Sequence, residues 1–585
     1  METQPGSSLP FAAAAVETDH RGDGSIVLRS AHKLRPFASS VGQWLARWAA
    51  ERPDQTWLAE RAGDGWRSVS YAQAYDAARR IGAALLERGL SADRPIAILS
   101  DNSVDHALLA LGAMQAGVPV APISPAYSVM SRDHAKLKGI FALLHPGLVF
   151  AQDPGRFAPA LAAVGAVATP LADLLAHTPG PRIEAAFAGV GPDTVAKILF
   201  TSGSTGTPKG VINTQRMLCS NQESWAQLWP FVDDRPMVLC DWLPWNHTFG
   251  GNATFNMVLR VGGTLYIDNG KPAPGLIDAT VRNLRDVSPS IYFNVPRGFD
   301  LLLPHLEADA DLRRRFFARL DVIFYAGAAL PQNLWERLEA LARSEKGGEV
   351  AMLSAWGSTE TAPMATSVHF HAGRSGLIGN PGPGTELKLV PAAGKLEVRV
   401  RGACVTPGYY RRADLTRDAF DEEGFYKIGD AMKWADPADP SRGLVFDGRV
   451  AEDFKLTSGT WVHVGAVRVA LIAACDPLVQ DAVITGHDRA ELGALVFINP
   501  AAQAALGLDA EGVRAHLRRG LAAMRASGQA GSSMVPARLL ILDEPPSIDA
   551  GEITDKGYIN QRAVLDRRAA LVEALYADDP AVITR

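Results

Sequence analysis

The sequence predicts an α/β protein with a large N-terminal domain followed by a small α+β domain, and three observations support this. The chain has 585 residues, which is too many for one hydrophobic core. Short apolar stretches alternate with helical patterns along most of the chain, which favours sheets covered by helices. Residues 437–448 are rich in Pro, Asp, Ser and Gly, a composition typical of a domain boundary.

These observations set the expected domain limits. We expect a loosely ordered leader over residues 1–35, a large domain over residues 36–446 and a small domain over residues 447–585. The last segment is roughly 140 residues long, which is an ordinary size for a domain.

The elements of the large domain follow from its caps and its periodicity. Ser70 can cap a helix from Tyr71 to about Arg88, because apolar residues recur on one face of that stretch. Further helices are separated by apolar strands, which is the alternation of an α/β sheet. Strands are predicted at residues 95–99, 118–123, 148–150, 195–200, 263–267 and 321–327, with helices after Asn102 and over residues 133–144.

The small domain shows a different order of elements. We predict a hairpin-like segment, a helix, two strands around Gly486, another helix, a strand and a polar tail helix. The hairpin, the second helix and the last strand are placed at residues 453–464, 511–526 and 538–542.

Composition and charge exclude several classes of protein. Hydrophobic residues make up 47% and charged residues 21% of the chain, as in ordinary soluble proteins. A net charge of −5 offers no basic field for nucleic acid or for an anionic membrane. The four cysteines are far apart without a C-x-x-C pair, which argues against a zinc site or a disulfide framework and fits a reducing cytoplasm.

Neither the N-terminal residues nor the longest weakly charged run has the composition of a targeting or membrane-spanning segment. The N-terminus has no basic residues ahead of its short apolar run, so a secretory signal is not expected. The alanine-rich run at residues 157–176 contains prolines and Asp173, and we interpret it as soluble helix and loop, not as a membrane span.

One loop carries the strongest chemical signal. The apolar stretch at residues 195–200 leads into glycine and hydroxyl residues that are followed by a lysine. Glycines let backbone N–H groups turn toward an anion, hydroxyls add donors, and the lysine adds positive charge. We therefore expect phosphates to be held by Thr201, Ser202, Gly203, Ser204, Thr205, Gly206 and Lys209.

This loop differs from the P-loop of kinases and GTPases. Pro208, which has no N–H, precedes Lys209, and Gly210 follows where Ser or Thr would be needed. A flexible surface linker is the other interpretation of such a run. The position directly after a buried-type strand in the middle of a domain favours the phosphate loop.

Residues 200–210 resemble the phosphate loop of the ATP-dependent adenylate-forming enzymes, which include acyl-CoA synthetases, luciferases and peptide-synthetase adenylation domains. The resemblance implies a large adenylate-forming domain and a small, mobile C-terminal domain. It also implies two half-reactions. A carboxylate attacks the α-phosphorus of ATP, with Mg²⁺ as cofactor, to give an acyl-adenylate and pyrophosphate, and the thiol of coenzyme A then takes the acyl group.

A second stretch, residues 355–360, resembles the aromatic-Gly-Ser-Thr-Glu motif of the same enzymes. The resemblance implies that Trp356 and Gly357 bind adenine, that Thr359 contacts phosphate in a catalytic role, and that Glu360 ligates Mg²⁺. Trp356 stands where tyrosine is more usual. The alternative is that Ser-Thr-Glu caps a helix.

Three further segments extend the resemblance. Gly327, Ala328 and Ala329 resemble the segment beside adenine and the acyl group, and the alternative for these small residues is tight sheet–helix packing. Asp430 resembles the aspartate that binds both ribose hydroxyls, and Arg449 the arginine that points toward the ribose. The hinge acid that follows is Glu452, three residues after the arginine, with Asp453 as the alternative.

Besides Thr359, two further residues are assigned catalytic roles by resemblance. His247 lies in an aromatic segment whose histidine orients carboxylate and phosphate, although such a histidine can also be a core residue. The family's charge-neutralising lysine falls, counting back from Arg562, on Tyr558. Lys556 is the only lysine in that stretch, so we assign the role to Lys556, with a surface lysine as the alternative.

Particular strings point to a subgroup. Residues 210–218, 244–251, 262–268 and 553–557 resemble bacterial feruloyl-CoA synthetases, which implies ferulate or a related hydroxycinnamate as the acid and a cytoplasmic monomer or homodimer as the enzyme. Five aromatic residues could accommodate an aromatic ring, or they could simply be part of the hydrophobic core. They are Trp242, Trp245, Phe249, Phe255 and Trp356.

Other functions remain open from the sequence. The acid could be of benzoate type or a medium-chain fatty acid. A carrier-protein adenylation module is disfavoured, because no phosphopantetheine-attachment segment follows the small domain. The displaced lysine leaves a weakened acyl or nucleotide sensor as the alternative from a different class.

Overall fold

The computed structural model describes residues 9–201, 208–392, 394–526, 534–554, 557–577 and 579–584. Three sheets lie in the large N-terminal domain, and the small C-terminal domain holds a further two sheets. This confirms the predicted fold class, with a large α/β domain before a smaller α+β one.

One sheet of the large domain has five strands, and it ends in the hairpin that flanks the predicted phosphate loop. Its first four strands are parallel and largely buried, which explains why they read as continuous apolar runs. The last strand pairs antiparallel with the fourth. In spatial order the strands are Leu148–Ala151, Ile96–Leu99, Val120–Ile123, Val195–Thr201 and Lys209–Thr214.

A second sheet of the large domain has four strands. Parallel pairing joins its first three strands, and an antiparallel hairpin adds the fourth. In spatial order they are Val238–Asp241, Thr264–Ile267, Thr56–Ala62 and Gly65–Ser70.

The third and largest sheet has eleven strands. Parallel pairing at one end gives way to antiparallel pairing over the rest. In spatial order the strands are Val16–His20, Ile26–Ser30, Thr385–Ala392, Lys395–Gly402, Tyr426–Trp434, Leu444–Arg449, Leu377–Pro381, Met364–Ser367, Ala351–Gly357, Val322–Tyr325 and Ile291–Asn294.

The expectation of a loosely ordered leader over residues 1–35 is wrong for the portion that the structure describes. Residues 16–30 form a hairpin that pairs with Thr385–Ala392, with Leu28 opposite Leu387. Both leucines are fully buried. The cause is a pairing across more than 350 residues of chain, which local sequence does not reveal.

The helices cover the sheets at the places that the alternation predicts. The helix after Ser70 begins with the predicted cap, because the Ser70 hydroxyl accepts from the backbone N–H of Gln73. The large-domain helices are Val41–Glu51, Tyr71–Glu87, Val104–Gln115, Ala126–Met130, Ala135–Leu144, Ala158–Ala163, Leu171–Leu175, Pro181–Gly189, Gln215–Leu228, Phe231–Asp234, Phe249–Thr254, Phe255–Val261, Ile277–Asp286, Pro296–Ala308, Ala310–Phe317, Gln332–Lys346, Thr359–Thr361, Ala413–Asp418 and Pro440–Arg442. Within the described ranges, no helix combines the length and apolarity needed to cross a membrane.

The small domain has its own hydrophobic core, which begins at Phe454. Leu444–Arg449 crosses the predicted start at residue 447 and lies in the large sheet. The small-domain strands are Phe454–Lys455, Trp461–Val462, Val479–Thr485, Gly493–Ile498, Arg538–Ile541 and Ile583–Thr584. Its helices are Val464–Ala474, Pro500–Ala505, Ala510–Ala526, Gln561–Arg567 and Ala569–Tyr576.

The two domains are joined by a buried ion pair. Lys395 of the large sheet contacts the carboxylate of Asp453, and both side chains are 5% exposed. The same carboxylate accepts from the backbone N–H of Val464 at 3.1 Å and lies 3.0 Å from Nδ1 of His463. Of the two candidate hinge acids, Asp453 therefore has its carboxylate fixed where the two domains meet. For Glu452 the contact is made by the backbone, whose N–H donates to the carbonyl of Arg449.

Candidate active site

The candidate site lies where three neighbouring parallel strands of the large sheet end. Ile291–Asn294, Val322–Tyr325 and Ala351–Gly357 have aligned registers, so their carboxyl ends meet at one edge. Ligands of α/β sheets bind in the crevice outside such ends. Gly327, Ala328 and Ala329 follow the middle strand and are exposed there, which places them at the mouth of the crevice.

Trp356 and Asp430 form the first polar contact of the site. The indole Nε1–H of Trp356 donates to Asp430 Oδ2 at 3.0 Å, although three strands lie between the two in the order of the sheet. The sheet must therefore bend back on itself, and Trp356 shares a small core with Leu387 and Met432 inside that bend.

Asp430 keeps one oxygen available at this position. Its side chain is buried, and burial raises the pKa of its carboxyl, with Arg449 and the Trp356 N–H acting in the opposite direction. Arg449 Nε lies 3.4 Å from Oδ1, yet Oδ1 has no hydrogen-bond partner among the described residues. A buried carboxylate oxygen without a partner is costly, so this oxygen is suited to accept from a bound hydroxyl.

Glu360 lies in a short turn directly after the strand that carries Trp356. Ser358 caps this turn by accepting from the Glu360 backbone N–H at 3.2 Å, so the capping interpretation holds for Ser358. The Glu360 carboxylate is not used by the cap. It is buried and accepts from the hydroxyl of Tyr409 at 3.0 Å, while Thr359 beside it is also buried.

Glu360 offers a single carboxylate to a metal. In the described stretches of the chain, no cluster of three or more His, Cys, Asp or Glu residues could hold an ion. Magnesium in nucleotide sites is commonly held by one or two carboxylates together with substrate phosphates and water. The single buried carboxylate of Glu360 fits that donor set, and it does not fit an all-protein metal cage.

The predicted phosphate loop is anchored by its two ends. Thr201 pairs with Lys209 across the antiparallel hairpin, and Ser202, Gly203, Ser204, Thr205 and Gly206 lie outside the described residues. Lys209 Nζ lies 5.2 Å from the ring centroid of Tyr409. Because Tyr409 also donates to Glu360, this tyrosine links the loop lysine to the candidate magnesium ligand.

We define the polar flank of the site as the set of residues that these contacts connect. Glu360 is also close enough to Asp430 for its charge to raise the pKa of the Asp430 carboxyl. The polar flank consists of Lys209, Trp356, Glu360, Tyr409, Asp430 and Arg449.

The aromatic flank lies on the other side of the crevice, at the end of Ile291–Asn294. We define it as Trp242, His247, Phe249, Phe293 and Asn294. The Trp242 indole donates to Asn294 Oδ1 at 3.0 Å, and Phe249 makes an edge contact with Phe293. Trp242, His247 and Phe249 are each only partly buried, so their side chains can face a ligand.

Three of the five aromatic residues suggested for ring binding do not line this flank, because Trp356 belongs to the polar flank and two others lie in the core. Trp245 and Phe255 are buried and contact each other edge to face at 4.9 Å between centroids. Trp245 also contacts the ring of His106. The core-packing alternative therefore holds for these two residues.

A buried lysine fixes the turn that carries His247. The His247 carbonyl accepts from the Gly251 N–H at 2.7 Å, and the Gly251 carbonyl accepts from Lys197 Nζ at 2.5 Å. Lys197 also donates to Asn252 at 3.1 Å, and burial lowers the pKa of its ammonium to about 7. Because Lys197 lies in the strand before the phosphate loop, it couples the His247 turn to that loop.

The small domain contributes Tyr558 to the crevice. The Tyr558 hydroxyl lies against Gly327, so close that a Cβ on Gly327 would be 2.8 Å from it. Lys556, the predicted catalytic lysine, lies outside the described residues.

Sequence reasoning missed three residues of the site. Lys197 had a signal, because a lysine inside a buried apolar strand needs polar partners. Tyr558 had a signal in its position two residues after Lys556. Tyr409 had none, since its contacts with Glu360 and Lys209 come from segments far away in the chain.

The chain belongs to the AMP-binding enzyme family. The family model described as AMP-binding enzyme matches residues 45–410, and the model described as AMP-binding enzyme C-terminal domain matches residues 458–580. The two matched ranges follow the division into a large and a small domain.

Individual relatives are more distant. A carboxylic acid reductase of Segniliparus rugosus is 27% identical over 423 residues, which are 66% of this chain and 33% of that protein. A sulfoacetate–CoA ligase of Cupriavidus necator is 30% identical over 405 residues, 65% of this chain and 73% of that protein. The chain thus spans about a third of the length of the reductase that it matches.

Solved structures share the fold. The adenylation domain of a carboxylate reductase from Mycobacterium chelonae superposes with a TM-score of 0.74 at 22% identity, covering 92% of this chain and 91% of that domain. At this identity the similarity establishes the architecture of two unequal domains.

Proposed function

We propose that the protein is an ATP-dependent ligase that activates a carboxylic acid. A carboxylate oxygen attacks the α-phosphorus of ATP, the bond to the β-phosphate oxygen breaks, and acyl-adenylate and pyrophosphate form. The thiol sulfur of coenzyme A then attacks the acyl carbon, AMP leaves, and the thiol proton passes to solvent. The observation that carries this proposal is the buried Oδ1 of Asp430, which has no hydrogen-bond partner among the described residues and lies 3.4 Å from Arg449 Nε, while Oδ2 accepts from Trp356.

That arrangement fits a nucleoside. A carboxylate accepts two hydrogen bonds from a cis-diol, and an indole offers a flat apolar face for a purine. In this proposal Asp430 and Arg449 hold the ribose, while Trp356 and Gly357 contact adenine. Gly327, Ala328 and Ala329 lie between the nucleotide and the acyl group.

The remaining roles concern charge. Thr201, Lys209 and residues 202–206 hold the β- and γ-phosphates, and Thr359 contacts phosphate as well. Glu360 is the carboxylate available to magnesium, which would neutralise phosphate charge when bound. His247 orients the carboxylate, and Lys556 neutralises the charge that develops at the α-phosphate.

We further propose that the acid is ferulate or a related hydroxycinnamate. Two features support an aromatic acid: the strings that resemble feruloyl-CoA synthetases, and the partly exposed rings of Trp242 and Phe249 at the crevice. Rings in such a position contact a planar substrate through edges and faces.

A second candidate has one observation in its favour. The likeness to carboxylic acid reductases in sequence and fold supports an adenylation unit that passes its acyl group to the thiol of a carrier domain. The two candidates share the first half-reaction and differ in the thiol that accepts the acyl group in the second half-reaction.

The decisive experiment measures both half-reactions with a panel of acids. Pyrophosphate release with ferulate, benzoate, a medium-chain fatty acid and sulfoacetate tests adenylation and ranks the acids. AMP release that requires coenzyme A and yields acyl-CoA supports the ligase. Pyrophosphate release with no acyl-CoA formed favours the carrier-linked unit, and no turnover with any acid favours a sensor.

A further inference from the structure

Tyr558 extends from the small domain to the carboxyl ends of the parallel strands in the large domain. Its backbone is fixed by a tight turn, in which the Tyr558 N–H donates to Thr554 Oγ1 at 3.1 Å and the Thr554 N–H donates to the Tyr558 carbonyl at 2.8 Å. The ring is half-buried. The direction of the phenol is therefore set by the fold and not by free rotation of an exposed side chain.

Gly327 provides the space that this phenol occupies. Its φ of +86° is strained for any residue with a side chain. A Cβ there would be 2.8 Å from the Tyr558 hydroxyl oxygen and 3.8 Å from Cγ1 of Val295. The hydroxyl consequently lies over the end of Val322–Tyr325, and Val295, which follows the neighbouring strand Ile291–Asn294, lies close to the same point.

The Tyr558 hydroxyl lacks a hydrogen-bond partner among the residues that the structure describes. The hydroxyl oxygen is not among the fully buried polar atoms that lack a partner, so solvent reaches it. It is therefore available to donate to an acceptor oxygen of a ligand in the crevice, in place of water. Burial raises the pKa of Tyr558, so the phenol stays protonated and acts as a donor near neutral pH.

We propose that the hydroxyl of Tyr558 donates a hydrogen bond to a carboxylate oxygen of the acyl substrate and so positions it over Gly327. This inference rests on the proposed function, because it takes the ligand on the Val295 side to be the acid. Asp430 and Trp356 form the nucleotide side, on the opposite flank. Tyr558 adds no positive charge, so its contribution is binding and orientation of the acid.

The first test compares Tyr558→Phe with a matched control, Tyr576→Phe. Tyr576 is a small-domain tyrosine whose hydroxyl donates to the carbonyl of Glu491, away from the crevice. We expect Tyr558→Phe to raise the KM for the acid at least tenfold in the pyrophosphate assay, with the KM for ATP within twofold of wild type. Tyr576→Phe should leave both constants unchanged.

The outcomes separate the two proposals. If wild type releases pyrophosphate and Tyr558→Phe has the wild-type KM for the acid, the role of Tyr558 is overturned while the proposed function stands. If the KM for ATP rises as much as that for the acid, the assignment to the acid is overturned too. If wild type turns over no acid at all, the proposed function itself fails, and the role of Tyr558 fails with it.

A second test needs no substrate. Gly327→Ala should lower the melting temperature, because it combines backbone strain with a collision at the Tyr558 hydroxyl. In the double variant with Tyr558→Phe the hydroxyl is gone, and the nearest Tyr558 ring atom would be 3.9 Å from the new Cβ. We expect the double variant to recover part of the melting temperature that Gly327→Ala loses. If the losses of the two single variants simply add in the double variant, Tyr558 does not contact Gly327 and the inference is overturned.

Discussion

The two flanks of the crevice are built on different principles. On the polar flank, two hydrogen bonds join segments far apart in the chain: Trp356 donates to Asp430, and Tyr409 donates to Glu360. On the aromatic flank, Phe249 is held by ring contacts with Phe293 and Phe324, and Trp242 by one hydrogen bond to Asn294. A hydrogen-bonded frame fixes positions, while packed rings fix mainly shape and volume.

This difference suggests that the polar flank recognises the nucleotide and that the aromatic flank sets the preference among acids. Under the proposed function every reaction uses the same nucleotide, and a rigid polar flank suits this constant substrate. The proposed acid is the variable substrate, and a flank of rings can be reshaped by single substitutions without disturbing the polar flank. Four substitutions test this division, beginning with the largest expected effect.

Asp430→Ala should damage the polar flank most. It removes the acceptor proposed for two ribose hydroxyls and leaves the buried Trp356 N–H unpaired. Since hydrogen bonds to charged groups contribute about 1.5–3 kcal/mol each, the KM for ATP should rise by about 100-fold or more, as measured by pyrophosphate release. Asp436→Ala, which alters a partly exposed loop aspartate that accepts from the Ala438 backbone N–H, is the control. A wild-type KM for ATP in Asp430→Ala would contradict the assignment.

Glu360→Gln separates charge from hydrogen bonding on the same flank. The amide oxygen can still accept from Tyr409, but the negative charge is gone. We expect kcat/KM at limiting Mg²⁺ to fall by roughly 30-fold, which corresponds to the loss of one charge-assisted contact. The companion Tyr409→Phe keeps the charge and should show a smaller loss. A magnesium titration identical to that of wild type would remove Glu360 from the metal site.

Phe249→Ala tests the aromatic flank. It deletes ring contacts with Phe293 and Phe324 and should reduce the free energy of unfolding by about 2 kcal/mol, because the ring is only partly buried. We expect the preference among acids, expressed as a ratio of kcat/KM values, to change by about tenfold, with little change in the KM for ATP. Equal losses for all acids would mean that the ring supports the fold and does not select the acid.

Trp356→Phe should have the smallest effect of the four. Phenylalanine keeps an aromatic face but cannot donate to Asp430 Oδ2, so the carboxylate becomes less well oriented. We expect the KM for ATP to rise about fivefold, in keeping with the loss of one neutral donor to a charged acceptor that retains Arg449. An unchanged KM for ATP would show that Arg449 and the strand backbone suffice to orient Asp430.

Much of the fold was predictable because the relevant signals are local. The Ser70 cap, the helix after it and the apolar parallel strands such as Ile96–Leu99 are each encoded within a few residues. The polar flank was largely predictable as well, since Trp356, Glu360, Asp430 and Arg449 each lie in a short recognisable string.

The features that escaped prediction depend on long-range contacts. The polar hairpin at residues 16–30 gains its order from pairing with Thr385–Ala392. Tyr409 acquires its position from Glu360 and Lys209, which are remote in sequence. Trp245 and Phe255 look like binding residues by composition, and only packing against His106 and each other shows them to be core.

The N-terminal hairpin has a practical consequence for anyone shortening this polypeptide. A fragment that starts at residue 36 would strip the outer strands from Thr385–Ala392 and leave a bare row of peptide groups beside Leu387 and Leu389. Such an edge recruits other chains, so the fragment should aggregate. The same removal takes Leu28 from the core that backs Trp356, and the truncated protein should therefore lose nucleotide affinity before it loses its overall shape.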